Sequence, residues 1–171
     1  MGCILKEATV ELAKHIDALA ATKCADYPEQ FLYNTMKNTD KVKGRLLYYF
    51  PLASNGESKD SQVVEDSWIG GHNDAGFLTA LGGEIYVRHD TGEVVPCPDP
   101  AAGLYVADRH QRARRVDLPA DCLAIQMGEC TQIVTGGAVR ATPHCVRGAS
   151  STGIARISLP CFVDTPPYQA L

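Results

Sequence analysis

Residues 4–22 have the apolar spacing of an amphipathic helix. The apolar positions recur at steps of three or four residues, which places them on one face of a helix. A less regular apolar pattern continues through 31–36. These patterns predict an N-terminal helix followed by a segment that is helical in part. The predicted apolar stripe of the first helix consists of Leu5, Ala8, Leu12, Ile16 and Leu19.

From Gly44 onward the pattern is typical of strands. Short runs rich in β-branched and aromatic residues alternate with Gly, Pro, Asp and Asn, without helical spacing between them. This order predicts an α+β fold, mainly β, with a β-sandwich or jelly-roll core. We expect one structural domain, made of a helical segment (1–41) and a β core (42–171). The predicted strands are 45–50, 76–81, 84–88, 103–108, 122–127, 139–146 and 154–163, with polar connections at 52–66 and 92–103.

The composition narrows the class of ligand. The chain has 171 residues, a formal net charge of −4 and 45% hydrophobic residues, as expected for one soluble globular domain. Because this charge gives no general attraction to phosphate backbones, we expect a small-molecule ligand and no nucleic acid.

No apolar run approaches the roughly 20 residues that span a bilayer. Seven cysteines without a C-x-x-C pair or a signal peptide predict reduced thiols and a cytoplasmic location.

Two histidines and an aspartate form a candidate metal set. His72 and Asp74 are two residues apart, so on a β-strand their side chains point to the same face. His144 lies in a later strand-like segment, 70 residues after Asp74. Two histidines and one carboxylate leave three coordination positions open, as expected for non-haem Fe(II) oxygen chemistry. Zinc with an open position is also chemically possible.

A second candidate element follows His144 by 12 residues. Arg156 and Ser158 place two polar side chains on one face of an otherwise apolar strand. An arginine that points inward needs an anionic partner. A dicarboxylate cosubstrate would supply that partner.

At this point the chain resembles the isopenicillin N synthase-like branch of the Fe(II)/2-oxoglutarate-dependent oxygenases. The resemblance runs from Arg45 to about Pro166 through ordered blocks. The blocks are Arg45-Leu-Leu-Tyr-Tyr-Phe-Pro51, similar to a strand ending in Tyr-Tyr-Pro; His72-Asn-Asp-Ala-Gly-Phe-Leu-Thr79, similar to the His-x-Asp strand; Ile125-Gln-Met-Gly-Glu129, similar to Asn-Ile-Gly-Asp; Thr135-Gly-Gly137 with Ala141-Thr-Pro-His144; and Arg156-Ile-Ser158, similar to the Arg-x-Ser signature.

The resemblance implies a double-stranded β-helix with the N-terminal helices packed on one face. It also implies that His72, Asp74 and His144 hold Fe(II) as the catalytic centre. Arg156, Ser158 and Tyr49 would then bind the distal carboxylate of 2-oxoglutarate. The implied activity is a dioxygenase that uses O2, converts 2-oxoglutarate to succinate and oxidises an unidentified organic substrate.

Departures from the family pattern leave alternatives open. Leu47 stands where many relatives carry Asn, and Cys145 replaces the usual Arg after the distal histidine. About 40 residues precede the first core strand, so we expect a partner or a further segment to cover the site. One alternative is an oxidase that works without 2-oxoglutarate, with Arg156 and Ser158 gripping a carboxylate of the substrate. Another is a non-catalytic jelly-roll binding module.

Several other residues have simpler interpretations. We interpret Trp68 as a packing residue and the arginines of 109–115 as a solvated hairpin edge. Gly2 and Cys3 begin like an acylation signal, but Lys6 replaces the usual Ser or Thr, so we interpret them as a start site. The histidines expected at the surface are His15, His89 and His110.

Overall fold

The N-terminal part of the chain forms two packed helices. The computed structural model describes residues 2–52, 67–119 and 121–166. Helix α1 spans Gly2–Ala21 and helix α2 spans Phe31–Asn38. The buried face of α1 is rotated from the predicted stripe, so that Leu19 is 45% exposed. The buried residues of α1 are Leu5, Thr9, Ala13, Ile16, Asp17 and Ala20.

Asp17 explains this rotation because it joins the two helices. Its buried carboxylate accepts hydrogen bonds from the hydroxyl of Tyr27 (2.6 Å) and from the backbone N–H groups of Leu32 (2.9 Å) and Tyr33 (2.8 Å). Both amides belong to the first turn of α2, where N–H groups have no partner within the helix. A carboxylate there satisfies these donors and complements the helix dipole. Asp17 must therefore face α2, and Leu19 turns outward.

Asp17→Ala is expected to lower the free energy of unfolding by about 2 to 3 kcal/mol, because it leaves buried donors without an acceptor. Urea denaturation followed by circular dichroism measures this loss. The control is Glu11→Ala, which removes an exposed ion pair with Lys14 on the same helix. It should cost less than about 0.5 kcal/mol. Equal losses in the two variants would contradict an anchoring role for Asp17.

The rest of the described chain is mainly β. One short helix, α3, spans Glu129–Val134. The strands are β1 (Val42–Gly44), β2 (Leu47–Tyr49), β3 (Ser67–His72), β4 (Leu78–Leu81), β5 (Ile85–Arg88), β6 (Val94–Val95), β7 (Gly103–Ala107), β8 (Ala113–Arg115), β9 (Ala124–Met127), β10 (His144–Arg147), β11 (Ile154–Ser158) and β12 (Pro160–Val163).

The strands form three four-stranded sheets, in which every pair is antiparallel. Their orders are β1-β12-β4-β9, β2-β11-β5-β6 and β3-β10-β7-β8. Only Leu159 separates β11 from β12, and residues 82–84 separate β4 from β5. The first two sheets therefore continue into each other as one long layer. The third sheet forms the second layer of a jelly roll.

The helices cover one face of the long layer. Helix α1 contacts β4 and β12. The main core cluster lies between them and includes Leu5, Met36, Leu78 and Val163, each at most 1% exposed. No helix of the described ranges is both long and apolar enough to cross a bilayer. The α+β prediction with helices packed on one face is confirmed.

Some boundaries differ from the prediction. Residues 139–143 are not a strand, because the N–H groups of Val139 and Ala141 donate to the side chains of Thr135 and Gln132 and not to a neighbouring strand. Strand β10 begins at His144. The predicted connection at 92–103 contains the short strand β6. Helix α3 was not predicted, since six residues are too few to show a helical period. The connection predicted at 52–66 lies outside the described residues except for Leu52.

Candidate metal centre and its cavity

The two predicted histidine ligands are neighbours across two strands. β3 ends at His72 and β10 begins at His144, and these residues are register partners. Asp74 lies just past the end of β3. Its Oδ1 is 4.0 Å from Nε2 of His72 and 3.9 Å from Nε2 of His144. One ligand atom from each residue lies within 4.8 Å of the other two. The structure thus brings the candidate metal set together.

Backbone carbonyls orient both imidazole rings. Nδ1 of His72 is 2.9 Å from the carbonyl oxygen of Gly70, and Nδ1 of His144 is 2.9 Å from that of Thr142. A carbonyl only accepts, so each Nδ1 carries the proton and donates it. In a neutral ring with its proton on Nδ1, the lone pair lies on Nε2, which faces Asp74 in both histidines. This is the usual support of metal-binding histidines.

Asp74 is held by two contacts of its own. The hydroxyl of Thr79 donates to Oδ2 of Asp74 at 2.5 Å, which leaves Oδ1 toward the histidines. The backbone N–H of Glu129 donates to the carbonyl oxygen of Asp74 at 2.8 Å. The side chain of Asp74 is 13% exposed and that of His144 is 8% exposed. Two of the three candidate ligands are therefore shielded from solvent.

Gly128 allows α3 to approach the loop that carries Asp74. Its N–H donates to the carbonyl oxygen of Phe77 at 2.8 Å. A Cβ at this position would overlap the backbone oxygen of Gly76 and lie 3.0 Å from that of Asp74. Only glycine fits such a close backbone contact. The Gly in the segment 125–129 is thus explained by packing beside the site.

Gly128→Ala is expected to weaken metal binding about tenfold and to lower the melting temperature, because the added methyl group displaces backbone next to Asp74. Mn(II) titration followed by electron paramagnetic resonance gives the affinity, and a thermal melt gives the stability. Gly44→Ala is the matched control, since a Cβ there meets no atom within 4 Å. Unchanged affinity in Gly128→Ala would contradict this role.

A cavity of about 680 Å³ lies between the two layers of the jelly roll, and residues of all three sheets line it. The candidate metal set contributes part of its wall, with His72 on β3, Asp74 just past the end of β3 and His144 on β10. Arg156 and Ser158 contribute another part from β11, together with Tyr49 from β2. The volume falls within the range of small-molecule sites. All six predicted site residues therefore line one cavity.

Arg156 is the most deeply buried charge of this cavity, at 5% exposed. Its guanidinium lies 4.8 Å from the ring centre of Tyr49, its register partner on β2. Its Nε donates to Oε2 of Glu84 at 2.5 Å. A second guanidinium nitrogen, Nη1, is buried and has no hydrogen-bond partner among the described residues. A buried donor without an acceptor destabilises the folded protein, and a ligand that accepts a hydrogen bond from Nη1 would remove this cost.

Glu84 is a site residue that the sequence analysis missed. It lies in the break between β4 and β5, and it lines the cavity. Its Oε1 accepts a hydrogen bond from the hydroxyl of Tyr86 at 2.9 Å. Burial, followed by the charge of Glu84, raises the pKa of Tyr86, so this hydroxyl stays protonated and can donate. The sequence showed that Glu84 and Tyr86 are two residues apart and so would share one face of a strand. Their position opposite Arg156 depends on strand register, which the sequence did not show.

Gln126 is a second residue that was not predicted as part of the site. It lies on β9, is 6% exposed and lines the same cavity. Its register partner is Thr79, the residue whose hydroxyl binds Asp74. The side-chain nitrogen Nε2 is buried without a partner among the described residues. A polar residue between Ile125 and Met127 was the available sequence signal.

Most of the residues interpreted as peripheral lie outside this cavity, but Arg115, which was interpreted as part of a solvated hairpin edge, lines it. Trp68 donates from Nε1 to the carbonyl oxygen of Phe50 at 2.6 Å, and its ring packs near Tyr49 and Tyr86. Asp108 pairs with two arginines at the β7–β8 hairpin. The seven cysteines are free thiols. The three histidines expected at the surface are exposed, namely His15, His89 and His110.

Comparison with known proteins supports the fold. No protein-family model matches the chain, and no curated protein sequence matches it. Solved structures do match. They include a protein of Shewanella oneidensis assigned as an oxygenase, with 20% identity over 98% of this chain and a TM-score of 0.63. The rice dioxygenase for auxin oxidation has 19% identity over 95% of this chain and a TM-score of 0.60. A full-length Neurospora crassa protein, solved in complex with alpha-KG, has 15% identity over 91% and a TM-score of 0.57.

The chain has the fold of these oxygenases, and the predicted double-stranded β-helix is confirmed. It covers 56%, 44% and 43% of the length of the three matched chains. It therefore spans about half of such proteins. The match includes the β core and the helices that pack on it.

Proposed function

We propose that this chain, with the oxygenase fold as its framework, is an Fe(II)- and 2-oxoglutarate-dependent dioxygenase that oxidises a small or medium-sized organic substrate. One observation carries the proposal. A His-Asp-His set and a buried arginine with a free donor line the same cavity. Such a cavity offers one place for a metal ion and another for a carboxylate.

The donor set fits Fe(II). Nε2 of His72, Nε2 of His144 and Oδ1 of Asp74 converge, and the other nitrogen or oxygen of each side chain is already engaged. Oδ1 of Asp74 lies 4.0 Å from Nε2 of His72 and 3.9 Å from Nε2 of His144, and these three atoms would hold the ion. Two histidines and one carboxylate with open positions favour non-haem iron.

The cavity also fits a dicarboxylate. The Nη1 donor of Arg156 would bind the distal carboxylate, and Ser158, two residues along the same face of β11, would add a hydroxyl. Tyr49 supports the guanidinium through its ring. The buried amide of Gln126 offers a further donor beside Thr79. The Neurospora crassa structure holds alpha-KG, which is 2-oxoglutarate, and this supports the same cosubstrate here.

When bound, Fe(II) with O2 and 2-oxoglutarate supplies the oxidising chemistry, in which 2-oxoglutarate loses CO2 and becomes succinate. The protein's own part is binding and orientation. The carbonyl oxygens of Gly70 and Thr142 fix the proton on Nδ1 of each histidine. Thr79 fixes which oxygen of Asp74 faces the histidines. Burial of Arg156 excludes water from its carboxylate contact and so strengthens it.

Anaerobic addition of Fe(II) and then 2-oxoglutarate tests the proposal. A visible charge-transfer band is expected only when both are present, because it requires the oxo acid to chelate the iron. Fe(II) with succinate is the control and should give no band. Absence of the band at saturating concentrations would contradict the proposal.

The pairing of Glu84 with Arg156 favours a second candidate function. An arginine that already has a carboxylate partner does not require a dicarboxylate cosubstrate. An oxidase without 2-oxoglutarate would then act through the same metal set. Release of succinate in step with O2 uptake supports the dioxygenase, and O2 uptake without succinate supports the oxidase.

The chain matches only part of each neighbouring structure, and this concerns what else would line the cavity. Because the chain spans about half of their length, we propose that a further segment or a partner completes the wall of the cavity. The substrate would then contact residues from both parts.

A further inference from the structure

We infer that Glu84 neutralises the positive charge of Arg156. The part of the cavity that would hold the distal end of 2-oxoglutarate therefore accepts an uncharged group as well as a carboxylate. The inference rests on the proposed function, because it concerns the end of the cosubstrate that Arg156 would bind. It adds a residue that determines specificity.

Glu84 already balances the charge of Arg156. It lies in direct contact with the guanidinium, and its side chain is 24% exposed. Two further arginines line the cavity: Arg115, whose Nη1 lies 3.7 Å from the exposed carboxylate of Asp117, and Arg45, whose guanidinium lies 5.1 Å from the ring centre of Phe162. The carboxylate nearest to Arg156 is therefore its partner Glu84. A ligand carboxylate placed at Arg156 would meet a neutral pair instead of a free positive charge.

The contact between Glu84 and Arg156 cancels the net charge of the pair, but it leaves one hydrogen-bond donor of Arg156 free. Glu84 accepts from Nε of Arg156, and the Nη1 donor has no partner among the described residues. A hydrogen-bond acceptor of any charge can satisfy such a donor. A carboxylate gains the additional attraction of an unpaired cation only if no other carboxylate is nearby. The nearby Glu84 cancels that attraction.

Glu84 is fixed in this position by the surrounding residues. The hydroxyl of Tyr86 holds Oε1, and Arg156 holds Oε2. Gly103 leaves room for the carboxylate, because a Cβ at that position would lie 3.0 Å from Oε1 of Glu84. The backbone of Gly103 has a φ of +117°, which favours glycine. Three residues on two layers thus hold the charge of Glu84 beside Arg156.

The first experiment compares two oxo acids on the unmodified protein. Calorimetry under anaerobic conditions measures the affinity of the Fe(II)-loaded chain for 2-oxoglutarate and for 2,5-dioxohexanoate, in which an uncharged methyl ketone replaces the distal carboxylate. We expect the two dissociation constants to agree within about threefold. A preference of more than tenfold for 2-oxoglutarate would overturn the inference.

The second experiment removes the charge of Glu84. Glu84→Gln keeps an oxygen that accepts from Nε of Arg156 and an amide that can contact Tyr86. We expect it to bind 2-oxoglutarate about tenfold more tightly, with little change for 2,5-dioxohexanoate. Glu93→Gln is the matched control, because Glu93 pairs with Arg88 at the surface, where both side chains are more than half exposed. It should leave both affinities unchanged.

The outcomes separate the inference from the proposed function. If neither oxo acid binds the Fe(II)-loaded parent, the proposed function fails. If both bind equally well and Glu84→Gln leaves their ratio unchanged, the inference alone fails. If Glu84→Gln does not fold, as judged by its circular dichroism spectrum, the comparison on the parent decides.

Discussion

Replacing His144 by alanine is expected to abolish Fe(II) binding at micromolar concentrations. The side chain of His144 is 8% exposed, and its Nε2 faces Asp74. Loss of a group that merely supports a metal ligand costs about 10- to 100-fold in affinity, so loss of a ligand costs more. Replacing His72 or Asp74 by alanine should have an effect of the same order. Anaerobic Fe(II) titration, with the bound metal measured after gel filtration, gives the stoichiometry and affinity.

The surface histidines outside the metal set provide the controls for this prediction. Alanine variants of His15, His89 and His110 should bind one Fe(II) per chain with the affinity of the parent. Circular dichroism establishes whether each variant is folded. A folded His144→Ala variant that binds iron as well as the parent would remove His144 from the metal set.

Replacing Arg156 by alanine is expected to weaken 2-oxoglutarate binding far more than tenfold without changing the iron stoichiometry. Loss of a buried, charged contact typically costs about 2 to 5 kcal/mol, which corresponds to roughly 30- to 5,000-fold. The variant also leaves Glu84 in the cavity without its cationic partner. The remaining carboxylate would repel the ligand and add to the loss. Calorimetry of the Fe(II)-loaded protein measures the affinity.

Arg156→Lys should restore part of the lost affinity. An ammonium group keeps the charge, but it does not present the planar set of donors that holds Glu84 and a ligand at the same time. Its affinity should therefore lie between those of the parent and Arg156→Ala. Equal 2-oxoglutarate affinity in the parent and Arg156→Ala would mean that Arg156 has a structural role, and the oxidase without 2-oxoglutarate would then be favoured.

The parts of the fold that the sequence predicted are those that local spacing determines. Helix α1 follows from a period of 3.6, and most strands follow from runs of β-branched and aromatic residues between Gly, Pro, Asp and Asn, so both signals come from neighbouring residues. The pairing of His72 with His144 was not predictable in this way, because it depends on which strand lies beside β10. The residues of the metal set were predicted from their chemistry and from the resemblance.

The contacts that were missed depend on register and on close packing. Glu84 meets Arg156 across two elements that are 72 residues apart, so no local pattern indicates the pair. Asp74 was expected on the same strand as His72, but it lies past the end of β3, because the loop bends to meet α3. The outward turn of Leu19 likewise follows from the contact of Asp17 with α2, which is a tertiary requirement.

The position of β3 in its sheet has a consequence for local opening. β10 pairs regularly with β7 on one side, whereas its pairing with β3 contains register shifts, and β3 is the edge strand of this sheet among the described residues. An irregular edge strand separates from its sheet at a lower cost in free energy than a central one. Amide hydrogens of β3 should therefore exchange with solvent before those of β10. Of the two histidines, His144 lies on the more protected strand and His72 on the one that opens first.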